Sequence, residues 1–501
     1  MCNLTKLALL AVLATLPLLA HAKWTEVSSR HFVMLSEDEP EQLRVLAENL
    51  ERLDQAIRRV SQLPDPEVAR ERRVTIYVVN RNSVETLAGR GSVGIYLGRA
   101  SGSIAVALHD SKSSNRPLFH EYAHHVLQSS YPIASPFWHT EGSAEFFATA
   151  AVRTDGSVEV GLPLLERTFE LGQLQYLSLP PLLETSDARL RAQPSLSYAR
   201  SWLVVHYLTF DPARRGQLER YLKSLELGVG STDAARGAFG DLAELDRNLK
   251  SYAREPFKQL TVPSSAIQVG TINLRELSAG EQAVMPYRMR SRVGVDEQQA
   301  QELLLLIRKA AAPFPSDAIA QAALAEAEFD GSNYAAAEVA ADRAIAADPK
   351  LVDAYLYKGR AQIAAARRAG IIDRQRWTQV RQWFMTASRI DPEDPEPLVL
   401  LYLTFAASGQ EPTENVVAGL YRARELAPQD HNLPVLAAYQ YLADGKAEQA
   451  RRMLTLVASD PHTGEIATRI GAVLEKLEQG GTAAALAAFS EDDLRQVIAS
   501  F

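Results

Sequence analysis

The sequence predicts an α+β domain followed by an all-α domain of helical repeats. Two observations support this fold class. Residues 24–108 alternate short strand-like runs with an amphipathic helical run, and alanine-rich helical segments with recurring prolines begin at about Gln298. A chain of 501 residues is also too long for a single ordinary core. The predicted parts are a signal peptide at 1–22, a first domain at 23–258, a connecting extended segment at 259–297 and helical repeats at 298–501.

The N-terminus has the parts of a cleavable secretory signal peptide. Lys6 precedes an apolar run from Leu7 to Ala20, and small residues two positions apart predict cleavage after Ala22. A retained membrane anchor is the weaker alternative, because the run is too short to span a bilayer comfortably. We therefore expect an exported protein without a later membrane span, in the periplasm rather than in the external medium.

The composition excludes several functional classes. Apolar residues make up 47% of the chain and charged residues 23%, which is typical of a folded protein. A formal net charge of −8 without a basic block argues against nucleic acid as a partner. The single cysteine, Cys2, lies inside the predicted signal peptide, so cysteine nucleophiles and cysteine-based metal sites are excluded from the mature chain.

Hydrophobic periodicity predicts the elements of the first domain. Trp24–Leu35 is predicted to form two short strands, and Glu41–Gln62 carries apolar residues at helical spacing. The β-branched runs Arg73–Val79 and Ser103–Leu108 are predicted strands. Ser197–Arg254 has a helical pattern throughout.

The segment Thr261–Val293 has a more extended pattern than the helical runs before it. Ala266–Val269 and Ala283–Met285 are candidate strands within it. Periodicity alone does not decide whether this segment closes the first domain or bridges to the next one.

The C-terminal helical segments carry a recurring stop signal every 33 to 43 residues, at Asp348-Pro349, Asp391-Pro392, Ala427-Pro428 and Asp460-Pro461. Gly359 follows Ala325 by 34 residues, each at the expected close-packing point of a first helix. The pattern resembles the tetratricopeptide repeat, with an insertion around Arg367–Arg376. A generic helical bundle is the alternative. If these are repeats, a protein or peptide is the expected partner, bound on a concave face.

The strongest chemical signal is the run LFHEYAHHVL, which contains HExxH at His120 to His124. Residues four apart lie on one face of a helix, so the two imidazoles converge on one point. The carboxylate of Glu121 can then reach a water molecule at a metal held there. Because HExxH also arises by chance, two structural histidines satisfied by hydrogen bonds are the alternative.

A second run, WHTEGSAEFF, supplies a third candidate ligand. A loop after His124 leads into a helix that is predicted to open with Glu141. Two histidines, one glutamate and an open position form the catalytic His₂Glu arrangement of zinc enzymes. Glu145 lies one helical turn later, where it can accept the other ring N–H of a ligating histidine. The alternative for Glu145, a solvated surface residue, is disfavoured by its apolar neighbours.

These two runs together resemble the gluzincin zinc metallopeptidases, in the branch near aminopeptidase N, over about residues 24–258. The resemblance implies that His120, His124 and Glu141 bind Zn²⁺ and that Glu121 is the catalytic base. The later run SLSYARSWLVVHYL is similar to the Y-x-x-G helix of the family, which implies that Tyr198 stabilises the oxyanion. Ser201 replaces the usual glycine, and a purely packed Tyr198 is the alternative.

The sequence departs from true aminopeptidases in one respect. These enzymes carry a G-x-M-E-N segment whose glutamate binds the free amine of the substrate, and Gly98–Asp110 has no such glutamate. We therefore expect an endopeptidase or a narrower hydrolase, with Ile104–Leu108 pairing with an extended substrate. A repeat-based binding scaffold with a vestigial site, or a zinc hydrolase of non-peptide bonds, is the alternative. His431 and His462 of the repeats lie near repeat ends, away from any carboxylate pattern, so the repeats are expected to supply no metal ligand.

Overall fold

A computed structural model describes residues 23–66, 72–108, 115–131, 133, 135–163, 178–183, 194–458 and 465–489. The predicted signal peptide, Pro132, His462 and the stop at Asp460-Pro461 lie outside these ranges. Within them, an N-terminal α/β region is followed by a long series of helices consistent with helical repeats. We call the two parts the α/β region and the array. In the described part of the chain, no helix is long and apolar enough to cross a membrane.

The α/β region is built on two sheets. Its strands are β1 Thr25–Ser28, β2 Phe32–Ser36, β3 Val74–Val79, β4 Gly94–Leu97, β5 Ile104–Leu108, β6 Ala151–Val152, β7 Val158–Val160, β8 Leu260–Val262 and β9 Asn273–Glu276. The larger sheet has the order β4-β5-β3-β2-β1-β9, and the smaller sheet has the order β6-β7-β8. Strand β3 is parallel to β2 and β5, whereas β4 is antiparallel to β5. Strand β4 is therefore an edge strand and β5 is an interior one.

The larger sheet has helices of the α/β region on both faces. The helices of this region are α1 Pro40–Val60, α2 Arg81–Ala88, α3 Arg116–Ser130, α4 Phe137–Ala148, α5 Leu179–Leu183, α6 Pro194–Phe210, α7 Gln217–Glu226, α8 Ser231–Phe239 and α9 Leu242–Tyr252. Helices α1 and α3 pack on one face of the larger sheet, whereas α2 packs on the other through Val84. Alternation along β3 places Val74, Ile76 and Val78 in a core shared with α1 and α3. Tyr77 points to the opposite face. The sheet is therefore buried on both faces, which agrees with its parallel centre.

The array begins with α10 Ala279–Val293 and α11 Glu297–Ala311. It continues with α12 Ala318–Asp330, α13 Tyr334–Ala347, α14 Val352–Arg368, α15 Arg374–Ile390, α16 Glu396–Ser408, α17 Glu414–Leu426, α18 Leu433–Ala443, α19 Ala447–Ala458 and α20 Glu465–Ala488, which is interrupted at Gly481. The predicted stops at Asp348, Asp391 and Ala427 directly follow helix ends. Ala325 is fully buried, and a Cβ on Gly359 would lie 2.4 Å from Phe384. Both predicted close-packing points are thus confirmed.

Two sequence predictions between the α/β region and the array are wrong. Ala266–Val269 is not a strand, and Ala283–Met285 lies inside α10. A short apolar run does not distinguish helix from strand. The overlooked signal was the capping box of Ser278 and Glu281, which starts α10. The extended residues pair instead as β8 and β9 with strands of the α/β region.

Two further expectations need correction. Helix α4 begins at Phe137, so Glu141 lies in its second turn and does not open it. Strand β5 has β4 on one side and β3 on the other, so its backbone is already paired and cannot bind an extended substrate. The edge of the sheet belongs to β4, a strand that the sequence analysis overlooked.

The array covers the second face of the larger sheet. Met285 and Met289 of α10 pack with Tyr77 and the other residues of that face. Beside them, a cavity of about 240 Å³ is lined by residues of β3 and by residues of α14 and α16, including Asp353. The sides of α10, α14 and α16 that point to the sheet are therefore turned toward the α/β region.

Candidate metal centre and substrate cleft

Helix α3 brings the two histidines of HExxH together. Asn115 precedes the helix, and Pro117 lies in its first turn, where proline is tolerated. His120 and His124 lie one turn apart, and their Nε2 atoms are 3.1 Å from each other. His124 is buried, and His120 is partly exposed toward a cleft. The two imidazoles therefore converge, as expected.

Helix α4 supplies the third donor. Oε2 of Glu141 lies 3.4 Å from Nε2 of His120 and 3.5 Å from Nε2 of His124. Donor atoms at about 2.0–2.1 Å around one tetrahedral ion would be roughly 3.3 Å apart, so these separations fit a shared cation. Burial alone would raise the pKa of Glu141, but the two imidazoles hold it well below its usual range. The three residues form a candidate metal centre.

Glu121 lies beside this centre. Its side chain is only 8% exposed, and a Cβ on Gly94 of β4 would lie 2.7 Å from its Oε1. Burial raises the pKa of Glu121 to about 7, with a lowering contribution from His124 and a raising one from Glu141. The glycine at position 94 thus leaves the space that the Glu121 carboxylate occupies.

Glu145 lies behind His120. Its Oε2 accepts a hydrogen bond of 2.9 Å from Nη2 of Arg116, and its Oε1 is 4.0 Å from Nδ1 of His120. The second distance is within ion-pair range but too long for a hydrogen bond. Arg116 and Glu145 therefore form a pair that flanks the first histidine of the motif.

Helix α6 places Tyr198 at the centre. The tyrosine hydroxyl donates a hydrogen bond to Glu141, and its ring centroid lies 6.3 Å from that of His120. Burial, followed by the charges of Glu141 and other carboxylates, raises the pKa of Tyr198 above its usual value. The two helices approach closely because Gly142 has no side chain: a Cβ there would lie 2.5 Å from the carbonyl oxygen of Ser201.

A cleft of about 390 Å³ opens over these residues. Strand β4 forms one wall, and the other residues include Glu121, Tyr198 and the three candidate ligands. The array contributes His431 and Asn432 to the wall, a position that the sequence analysis did not predict. No local signal could have placed His431 here, because it follows the HExxH motif by about 300 residues.

The loop between α17 and α18 is held against the cleft by polar contacts. Oδ2 of Asp430 accepts a hydrogen bond of 2.7 Å from the Ala100 N–H. Nε2 of Gln429 donates to Oγ of Ser103 at 3.1 Å. A Cβ on Gly98 would lie 2.6 Å from the carbonyl oxygen of Gln429, so the two backbones meet closely. The array therefore forms part of the cleft itself.

A second group of potential ligands, His31 with Asp54 and Asp65, is already internally paired. Nδ1 of His31 donates to Glu51 at 2.8 Å, and Nε2 donates to Asp65 at 2.9 Å. Asp54 accepts from Tyr122 at 2.9 Å and also pairs with Arg58. With both ring nitrogens engaged, this group is a structural network, and it fixes α3 through Tyr122.

Three further histidines make contacts within the α/β region. Nδ1 of His125 lies 3.2 Å from the Tyr96 hydroxyl, and Nδ1 of His139 lies 2.6 Å from Oγ of Ser135. His206 is hydrogen-bonded through both ring nitrogens. Tyr96, a residue of β4 that the sequence analysis overlooked, also stacks on His124 at 6.4 Å and lines the cleft.

Comparisons with known proteins add little to this geometry. No protein-family model matches the chain, and no curated protein matches it. Among solved structures, a thermophilic TPR protein of Thermus thermophilus is 18% identical over 39% of this chain and 98% of that chain, with a TM-score of 0.33. This similarity is too low to assign either part of the chain to a family.

Proposed function

We propose that this chain is an exported zinc-dependent peptidase of the gluzincin type. The observation that carries the proposal is the convergence of His120, His124 and Glu141 on one point, with the buried carboxylate of Glu121 beside it. Two imidazoles and one carboxylate are a donor set that suits zinc. A zinc ion bound there would polarise a carbonyl group and make water more acidic.

The residues of the chain take separate roles in this proposal. Glu121 accepts the proton of the attacking water and returns it to the leaving amine. The hydroxyl of Tyr198 donates a hydrogen bond to the oxygen that becomes negative. Glu145, held by Arg116, orients His120 from behind. The open edge of β4 offers backbone groups to an extended peptide.

The cleft favours an endopeptidase or a narrower hydrolase over an aminopeptidase. Among its described wall residues, the carboxylates are Glu121 and Glu141, and both already have roles in the proposed reaction. No further carboxylate of these walls can pair with the free amine of a substrate.

We also propose that the array recruits a protein partner or substrate. Repeat arrays commonly serve as interaction modules. The helix sides that point to the larger sheet are turned toward the α/β region, so a partner would use the surfaces that remain. The loop at residues 429–432 additionally gives the array a direct part in the cleft.

The proposal is tested by metal analysis and by the substitution Glu121→Gln. We expect about one zinc per chain in both proteins, and a loss of about 10²- to 10⁴-fold in peptide hydrolysis for the variant, because an amide cannot accept the proton. Glu219→Gln, at an exposed glutamate of α7, is the control and should keep full activity. Absence of zinc, or hydrolysis by the variant at the wild-type rate, would favour the scaffold alternative or a different base.

A further inference from the structure

A second, smaller cavity continues from the cleft into the boundary between the α/β region and the array. Its volume is about 50 Å³, enough for a few water molecules or one small side-chain group. His124, Gln128 and His431 line both cavities, so the smaller one opens directly beside the candidate metal ligands. We call it the interdomain pocket.

Arg424 supplies a permanent positive charge to the largely apolar wall of this pocket. It lies half-buried in the last turn of α17 and shares the wall with apolar residues such as Leu127 and Leu456. Within the described ranges, no carboxylate forms an ion pair with Arg424. Its neighbour Glu425 pairs instead with Arg422 at 3.0 Å.

Two other ionisable residues of the wall already make hydrogen bonds. The carboxylate of Asp430 accepts hydrogen bonds from the N–H groups of Ala100 and Asn432 at 2.7 and 2.8 Å. Nδ1 of His139 lies 2.6 Å from Oγ of Ser135. The charge of Arg424 is therefore left for a group that enters the pocket.

We propose that the interdomain pocket binds a carboxylate of the substrate through Arg424 and thereby selects the residue next to the cleaved bond. A guanidinium binds a carboxylate with paired, charge-assisted hydrogen bonds, which are strong between apolar walls. The carboxylate comes either from an acidic side chain or from the C-terminus of the substrate. This inference rests on the proposed peptidase function and names its substrate class.

The test measures binding without turnover, using full-length Glu121→Gln protein. The probe is a mixture of short peptides randomised at every position, prepared once with free and once with amidated C-termini. Bound peptides are identified by mass spectrometry. Selection of acidic residues from both mixtures identifies a side chain as the ligand, whereas binding confined to the free-acid mixture identifies the C-terminus.

Adding Arg424→Gln should lower the affinity for the selected peptides by about 10- to 100-fold and leave neutral peptides unaffected. Arg422→Gln, two residues earlier on the exposed side of α17, is the matched control and should keep the selection. The proposal is overturned if neither mixture shows selection for a carboxylate, or if Arg424→Gln weakens acidic and neutral peptides equally.

A lower melting temperature with unchanged selection would also overturn it and assign Arg424 to the C-terminus of α17 alone. Failure of the wild-type protein to hydrolyse any peptide would contradict the proposed peptidase activity, whereas the binding result would still decide the role of the pocket.

Discussion

Two groups of charged side chains, each at least partly buried, differ in how their charges are arranged. In the candidate metal centre, the donor atoms of His120, His124 and Glu141 lie 3.1 to 3.5 Å apart around one point. In the array, Arg288 and Arg292 contact Asp353 at 2.7 and 2.5 Å. A second carboxylate, that of Glu326, pairs with Arg292 at 3.2 Å. The second group compensates its own charges, whereas the first directs lone pairs at a point that suits a cation. Paired opposite charges thus indicate a structural cluster, and convergent donors indicate a ligand site.

The largest expected effect tests the convergent group. His124→Ala leaves two of the three donors, so we expect loss of zinc on dialysis and loss of the rise in melting temperature that added zinc gives the wild type. The control is His125→Gln on the same helix, because His125 contacts Tyr96 and is not one of the converging donors. Full zinc content in His124→Ala would contradict the assignment of ligands.

The next effect tests the compensated group. Asp353→Asn leaves Arg288 and Arg292 without this partner, and we expect a loss of about 3 kcal/mol in the free energy of unfolding. This value is at the lower end for buried pairs, because the Asp353 side chain is 25% exposed. Zinc content per folded molecule should not change.

Asp342→Asn is the control for that substitution. Asp342 pairs with Lys358 but is 57% exposed, and surface pairs contribute about 0–1 kcal/mol. A loss of zinc in Asp353→Asn, with the fold intact, would show that the two groups of charges are coupled. It would contradict the interpretation of the Asp353 group as purely structural.

Two glycine-to-alanine substitutions, one beside the candidate metal centre and one in the array, are expected to change different properties: kcat in the first case and stability in the second. In Gly94→Ala, the new methyl group would displace the Glu121 carboxylate, and we expect kcat to fall by about 10²-fold with zinc retained. In Gly359→Ala, it would collide with Phe384, and we expect about 1–3 kcal/mol of destabilisation without a change in kcat. Gly237→Ala, where a Cβ meets open space, is the control for both.

Secondary structure was predictable from the sequence where a hydrophobic pattern was long or had clear end signals. Helix α3 spans Arg116–Ser130 and contains the whole run LFHEYAHHVL, whose histidine spacing was interpreted as helical. All four residues of strand β4 are half-buried. The strand therefore lacks the alternation of buried and exposed residues that identifies a strand in a sequence. Strand β9 is exposed at all four residues and exists through its pairing with β1, which is a tertiary contact.

In the candidate site, too, residues close together in the sequence could be grouped before the structure was known, whereas residues far apart in the sequence could not. His120, Glu121 and His124 could be grouped from the sequence because helix geometry fixes residues four apart on one face. Gly94 and Arg424 lie on other elements, so only the fold brings them near these residues. The sequence therefore predicted the candidate donors, while the walls that would select a substrate required the structure.

The smallest expected effect concerns the network around His31, which has features of both groups of charges. It is a potential ligand set, yet its charges are paired. The groups that face this imidazole are Glu51, Asp54 and Arg58 of α1, Asp65 after α1, and Tyr122 and His125 of α3. Burial alone would lower the pKa of His31, but the hydrogen bond to Glu51 and the neighbouring carboxylates raise it. Burial would likewise raise the pKa of Glu51, yet hydrogen bonding to His31 keeps it lowered.

Because the two pKa shifts are opposite in direction, the network contributes most to the stability of the fold within a limited pH range. A raised histidine pKa stabilises the fold below its ordinary value of 6.5, and this contribution is lost as the pH rises through the raised value. A lowered glutamate pKa stabilises the fold above its ordinary value of 4.5, and this contribution is lost as the pH falls through the lowered value. We therefore expect His31→Gln to lower the melting temperature most between pH 4.5 and 6.5, and less as the pH rises further. Thermal unfolding of the wild type and the variant across pH measures this difference. A difference that grows with rising pH would show that His31 is neutral in the folded protein, and the group would then have to be reconsidered as a second cation site.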